Sequence, residues 1–216
     1  MEIHELENPN REVKDSLFTK LFNDEKNALE LYNAITTSNE KNDVIVLKTL
    51  SDVFYHILKN DLAFLIGNKV IVFMEHQSSL NPNMAIRLLF YAASVYKGLI
   101  DNSALYSSKR ALLPYPEFFV LYNGEEELAD ETTLKLSDSF ERGGKSVDLE
   151  LKVKVININV GHNEGMLERS EYLSGYAIMV GKIREYMEPV GGTFSGSASC
   201  RFGEGDKASN NVLYGA

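Results

Sequence analysis

Asp61, Glu75 and Gln77 are the residues on which chemistry can be built, because of where they stand in one apolar stretch. Asn60-Asp61-Leu62-Ala63-Phe64-Leu65-Ile66 and Val70-Ile71-Val72-Phe73-Met74-Glu75-His76-Gln77 flank Gly67-Asn68. That pattern is a hairpin signal. Asp61 opens one strand and Glu75 closes the other. A charge at the mouth of an apolar strand is costly unless it is paired, hydrated or bound to a cation. Side chains alternate along a strand, so Glu75 and Gln77 share a face and His76 points away. A two-residue loop sets Asp61 opposite Met74, whereas a three-residue loop sets it opposite Glu75. Opposed Cβ atoms are about 4.5–5.5 Å apart, a span over which two carboxylates can share one hard cation. The cation reading therefore requires an odd loop or an equivalent bulge. Mg²⁺ suits such a site, with Mn²⁺ as a substitute, and the His76 backbone carbonyl offers a further oxygen. Such a cation would activate an attacking water and offset charge on a phosphoryl transition state. On spacing alone the plainer reading carries more weight: Asp61 and Glu75 as solvated strand-end charges, with Gln77 starting a loop.

The elements that must hold these residues are legible from periodicity. Val13, Leu17 and Leu21, with Phe18 and Phe22, predict an amphipathic helix over Arg11–Phe22, and a second helix follows from Glu25 to Ile35. Val44–Leu47 reads as a short strand and Ser51–Leu58 as one or two helical turns. Both hairpin strands are apolar on both faces, which predicts central strands covered on each side. Asn81-Pro82 reads as cap and first residue of a helix running to Leu99, with Met84, Leu88, Tyr91 and Val95 as its buried stripe. Strands are expected at Phe118–Tyr122 and Leu149–Val160, and a last helix over Glu164–Met187. From Pro189 the chain turns Gly- and Ser-rich without apolar periodicity, which predicts a poorly ordered tail. One domain over residues 10–187, followed by a tail over 188–216, is the expected organisation.

Composition narrows the function classes. The 216 residues are 44% hydrophobic and 25% charged, ordinary for a soluble globular protein. No apolar run approaches the ~18 residues of a membrane span. The acidic N-terminus lacks a secretory layout, so a cytoplasmic protein is expected. Cys200 is the sole cysteine and His4, His56, His76 and His162 are scattered, which argues against a zinc enzyme. The net charge of -9 opposes non-specific nucleic-acid binding, although a local basic patch, not the average, governs such contacts.

The run Glu75-His76-Gln77-Ser78-Ser79, followed by Asn81-Pro82-Asn83-Met84-Ala85-Ile86-Arg87-Leu88-Leu89-Phe90-Tyr91, resembles the signature of the recombination-promoting nucleases. These transposase-like proteins belong to the PD-(D/E)xK superfamily. Arg11–Phe18, Asn60–Ile66, Pro114–Gly124, Leu134–Asp138 and Val155–Asn159 match in the same order, so the resemblance spans roughly Asn10 to Tyr186. It implies an α/β (α+β) fold: a restriction-endonuclease-like αβββαβ core with a central mixed sheet flanked by helices. It also implies a Mg²⁺-dependent DNA endonuclease whose cleavage promotes recombination. Asp61 would be the metal-binding aspartate and Glu75 the acid of the next strand. Gln77 falls where the superfamily usually keeps lysine, which trades a charge-assisted bond for a weaker neutral one.

Further residues carry two readings each. Asp15 is an accessory acid of the site or a solvated charge near a helix start. Arg87 reaches a scissile phosphate or pairs with an internal carboxylate. His76 reads as a packed core residue rather than a base. Lys97, Lys109, Arg110, Lys152 and Lys154 are the local basic groups, read as solvated surface. DNA is the expected partner, a homodimer is compatible with the resemblance, and no small-molecule cofactor or membrane is expected. The alternative function is a nuclease-like module without useful catalysis, binding DNA or a protein. A decayed mobile-element remnant with a truncated or out-of-frame end is the third.

Overall fold

The computed structural model describes residues 17–41, 44–46, 61–67, 70–141 and 147–187. Asp15, the turns expected at 51–58 and the tail from 188 lie outside the described residues. Helical residues 17–22 form α1, and Glu25–Thr36 form α2. Asp24 caps α2 by accepting from the backbone N–H groups of Lys26 (3.0 Å) and Asn27 (3.1 Å), donors the first turn leaves without partners. β1 (Val44–Val46), β2 (Asp61–Ile66) and β3 (Val70–Gln77) follow. Next come α3 (Met84–Leu99), the short α4 (Asn102–Leu105), β4 (Tyr115–Tyr122) and β5 (Glu131–Lys135). A 3-10 turn (Leu136–Ser139), β6 (Lys152–Asn157), α5 (Glu164–Leu167) and α6 (Glu171–Met187) complete the order.

The strands make one mixed six-stranded sheet in the order β1-β2-β3-β4-β6-β5. β2 and β3 pair antiparallel, β3–β4 and β4–β6 parallel, and β5 closes one edge antiparallel to β6. Helices cover both faces, an arrangement consistent with a PD-(D/E)xK-like α/β fold. The doubly apolar hairpin explains the interior place of β2 and β3. Leu62, Phe64, Ile66, Val72 and Met74 face α1, α2 and α6, while Ala63, Leu65, Ile71 and Phe73 face α3. On α3 the predicted stripe of Met84, Leu88, Tyr91 and Val95 is buried. Each such side chain contributes about 1.5–3 kcal/mol by leaving water.

Four expectations need correction. The helix expected to start at Pro82 begins at Met84, because Asn81 folds a turn first: its Oδ1 accepts from Asn83 N–H (2.9 Å) and its carbonyl from Met84 N–H (3.2 Å). The single helix expected over Glu164–Met187 is broken before Glu171. Buried Ser170 restarts it, its Oγ accepting from Leu173 N–H (3.2 Å) and its carbonyl from Ser174 N–H (3.0 Å). The strand expected over Leu149–Val160 is limited to Lys152–Asn157, since Asn157 turns its Oδ1 onto Asn159 N–H (3.1 Å). The strand expected at Phe118 begins earlier, at Tyr115. β5 has no counterpart among the predicted elements.

Candidate active site

Ile66 pairs with Val70, leaving three residues between them, and the register carries through to Asp61 opposite Glu75. This is the odd-loop register that a shared cation requires. Gly67 sits at φ +54°, a conformation glycine adopts without a Cβ penalty. The Gln77 carbonyl accepts from Asn123 N–H (2.9 Å), so odd-numbered residues of β3 direct their backbone groups toward β4. Alternation then turns the His76 carbonyl toward β2 and makes Asp61/Glu75 a non-hydrogen-bonded pair, the kind with the closer Cα approach of about 4.5 Å. The Asp61 side chain lies outside the described residues.

Glu75 is only 5% exposed and lies two residues before the end of a strand with neighbours on both sides. Its Oε1 accepts from Gln77 Nε2 (2.9 Å) and forms an ion pair with Arg87 Nη1 (3.0 Å). Its Oε2 is buried and has no hydrogen-bond partner among the described residues. One oxygen is thus fixed from two sides and the other is uncommitted. Gln77 is held in turn, its Nε2 also reaching Met84 Sδ (2.8 Å) and its Oε1 accepting from Asn81 N–H (3.1 Å). The Gln77 amide therefore orients Glu75 and anchors the turn before α3. Arg87 forms the internal ion pair that was one of its two readings, with 29% of its side chain still exposed.

His76 points to the other face, as alternation requires. Its Nε2 lies 3.1 Å from Tyr176 Oη, and its ring stacks on Phe18 with centroids 5.2 Å apart. Its side chain is packed in the core, 3% exposed, and takes no part in the cluster around Glu75. Lys97, Lys109, Arg110 and Lys152 are exposed, and Lys154 Nζ pairs with Glu131 Oε1 at 2.7 Å. Among the described residues no group of three or more His, Cys, Asp or Glu side chains could hold a metal ion. A two-carboxylate set completed by a carbonyl and substrate oxygens would not form such a group. The uncommitted, buried Glu75 Oε2 in register with Asp61 fits a hard, oxygen-seeking cation.

A polar rim escaped the sequence reading. At the ends of β4 and β6, Asn157 Nδ2 donates to Leu128 O (2.8 Å), Asn159 Nδ2 to Gly124 O (3.0 Å) and Arg184 Nη1 to Asn159 Oδ1 (2.9 Å). Asn123, beside Gln77 in the ladder, is 1% exposed and neither atom of its amide has a partner among the described residues. The only sequence signal for this rim was the clustering of asparagines just past two apolar strands. Gly124 fits because a Cβ there would overlap the Ser78 carbonyl and the Tyr122 hydroxyl. Gly124→Ala is expected to cost about 1–3 kcal/mol through forced displacement, seen as a lowered thermal midpoint. An unchanged midpoint would show that the Ser78 loop yields freely.

A family model described as Putative transposase, YhgA-like matches residues 47–169. The chain belongs to that family. Its domain falls in the PD-(D/E)xK superfamily, and the matched stretch contains β2, β3, α3 and β4, hence Asp61, Glu75, Gln77 and Arg87. No curated protein and no solved structure matches the chain. Among the described residues no helix is long and apolar enough to cross a membrane. Within this YhgA-like domain, membership supports nuclease or transposase chemistry in general, and the geometry of Glu75 must carry anything finer.

Proposed function

We propose that this YhgA-like chain is a Mg²⁺-dependent DNA endonuclease that hydrolyses phosphodiester bonds and promotes recombination, with Mn²⁺ able to substitute. The observation that carries this reading is the divided state of Glu75: Oε1 fixed by Arg87 and Gln77, Oε2 buried and uncommitted, directly across from Asp61. Asp61, Glu75 and the His76 carbonyl would hold the cation. When bound, it would supply Lewis-acid stabilisation of the phosphate and an acidified water. The order α1, β1, β2, β3, α3, β4 supports an αβββαβ core around this site.

The chain's own residues do the positioning. Gln77 and Arg87 restrain the Glu75 carboxylate so that its free oxygen keeps one direction, which lowers the ordering cost of binding. Gln77 brings no charge, so stabilisation of the developing anion falls to Arg87 and the cation, and a slow enzyme follows. Arg87 is partly exposed and can turn from Glu75 to a scissile phosphate oxygen once a cation offsets Glu75. The site belongs to a cytoplasmic protein acting on DNA in this reading.

A second reading, a nuclease fold that binds DNA or protein without cutting, draws on the same ion pair. An arginine already neutralises Glu75, and no lysine stands at position 77. Incubation with supercoiled plasmid and Mg²⁺ or Mn²⁺, with EDTA and Asp61→Ala as controls, separates the two. Nicking that requires metal and falls at least about 100-fold in Asp61→Ala is the expected result. A folded protein that binds plasmid without cutting it would establish the second reading.

A further inference from the structure

Among the described residues β5 is an edge strand, with β6 on one side and no strand on the other. The carbonyl of Asp130 accepts from Asn157 N–H and the N–H of Leu136 donates to Leu151 O, both at 2.9 Å. These bonds bracket β5, so its even-numbered residues bond to β6 while Glu131, Thr133 and Lys135 turn their backbone groups outward. All three are exposed. An antiparallel second β5, related by a two-fold axis through Thr133, would pair odd with odd: Thr133 with Thr133 and Glu131 with Lys135. The three pairs would exchange about six backbone hydrogen bonds.

Charge gives the edge its sign preference. Lys135 and Lys152 are direct cross-strand partners, a like-charge arrangement that is destabilising. Neither forms an ion pair among the described residues, and Glu150 acts on Lys152 only through space. Glu131 of a second copy would arrive beside Lys135 on the same face, next to this lysine pair. Charged residues ordinarily protect edges from strand addition. Here opposite charges four residues apart match their own reversed copy, Glu131 being held at 2.7 Å by Lys154 of its own chain.

We propose that two copies of the chain associate through antiparallel pairing of β5, joining their sheets into one. The axis runs perpendicular to the sheet, so the two Glu75 positions lie at opposite strand ends, roughly 34 Å apart across the strands. Neither site needs the partner to be complete, and the association stands or falls independently of cleavage.

Sedimentation of the full chain over a range of concentrations tests this, with far-UV circular dichroism to verify folding. Wild type is expected to sediment with twice the mass of one chain. Thr133→Pro removes an outward N–H and no β5–β6 bond, so it should leave a folded single chain. Lys135→Glu should weaken association by about tenfold or more, and Glu131→Lys combined with Lys135→Glu should recover it. A wild type that stays single at its solubility limit overturns the proposal. So does a two-chain species indifferent to Thr133→Pro and to the charge exchange.

Discussion

Glu75→Gln is expected to abolish metal-dependent nicking while leaving the stability of the fold within about 1 kcal/mol of wild type. The carboxylate is 5% exposed, and the desolvation cost of such a buried charge is several kcal/mol. Arg87 and Gln77 offset that cost at Oε1, but Oε2 draws on no hydrogen bond among the described residues. Glutamine keeps an acceptor oxygen for both donors and replaces the uncommitted anionic oxygen with a neutral amide. The buried amide nitrogen costs about 1–3 kcal/mol if it finds no partner, set against the relieved charge. A stability change within about 1 kcal/mol follows, with a gain as readily reached as a loss. Cleavage should fall by a factor of about 100 or more, since a carboxylate that binds a cation has no substitute in an amide. Thermal scans with Mg²⁺ and with EDTA complete the test. Mg²⁺ should raise the wild-type midpoint and leave the variant unmoved, because only a ligand of the folded state stabilises it. Nicking retained in Glu75→Gln would remove Glu75 from the metal site. A sharp loss of stability would mark the carboxylate as a structural partner of Arg87.

The central hairpin was legible because its information is local. Two apolar runs with both faces buried can only be interior strands, and parity around Gly67 converts loop length into register. The face of α3 was equally plain, since Met84, Leu88, Tyr91 and Val95 recur at helical spacing. Element ends were harder, because they depend on single polar side chains. Ser170 restarts a helix and Asn157 ends a strand by bonds that periodicity does not register. β5 escaped for a related reason: Glu131-Thr132-Thr133-Leu134-Lys135 has one strongly apolar residue, and its edge position needs little more. Its two adjacent threonines were the available signal.

The site divides along the same line. Asp61 and Glu75 were singled out from their places at the strand ends and from the resemblance, and Gln77 from its place two residues on. What those residues do to one another was not visible. That Gln77 spends its amide on Glu75, Met84 and Asn81 follows from how α3 packs on β3, a tertiary fact. The choice between phosphate and carboxylate for Arg87 likewise depends on a helix crossing a strand. Asn123, whose buried amide stands beside the Gln77 ladder, was marked only by the asparagines that follow the two apolar strands.

Arg87→Met is expected to destabilise the metal-free protein by about 2 kcal/mol, and Mg²⁺ should return most of that loss. The Arg87–Glu75 contact at 3.0 Å supplies the only ion pair Glu75 makes among the described residues. Removing one partner of a buried pair costs about 3–5 kcal/mol, mainly because the other charge stays behind. Arg87 is 29% exposed, so solvent already screens the pair and the cost falls below that range. Methionine preserves much of the aliphatic bulk beside Met84, which confines the change to charge. In the proposed site a cation at Oε2 and Asp61 would replace the missing positive charge, so Mg²⁺ should raise the thermal midpoint more in Arg87→Met than in wild type. Glu75→Gln in the Arg87→Met background should recover stability even without metal, a non-additivity of about 0.5–3 kcal/mol for a contacting pair. Nicking at saturating Mg²⁺ then separates the two roles of the guanidinium. A counter-ion alone becomes dispensable once the cation is bound, and the variant would cut at nearly the wild-type rate. A group that also turns to the scissile phosphate would be missed at that stage, leaving a folded, metal-loaded protein slower by about 10-fold or more. Loss of stability that Mg²⁺ does not reverse would mean that no cation binds at Glu75, and the endonuclease reading would fall with it.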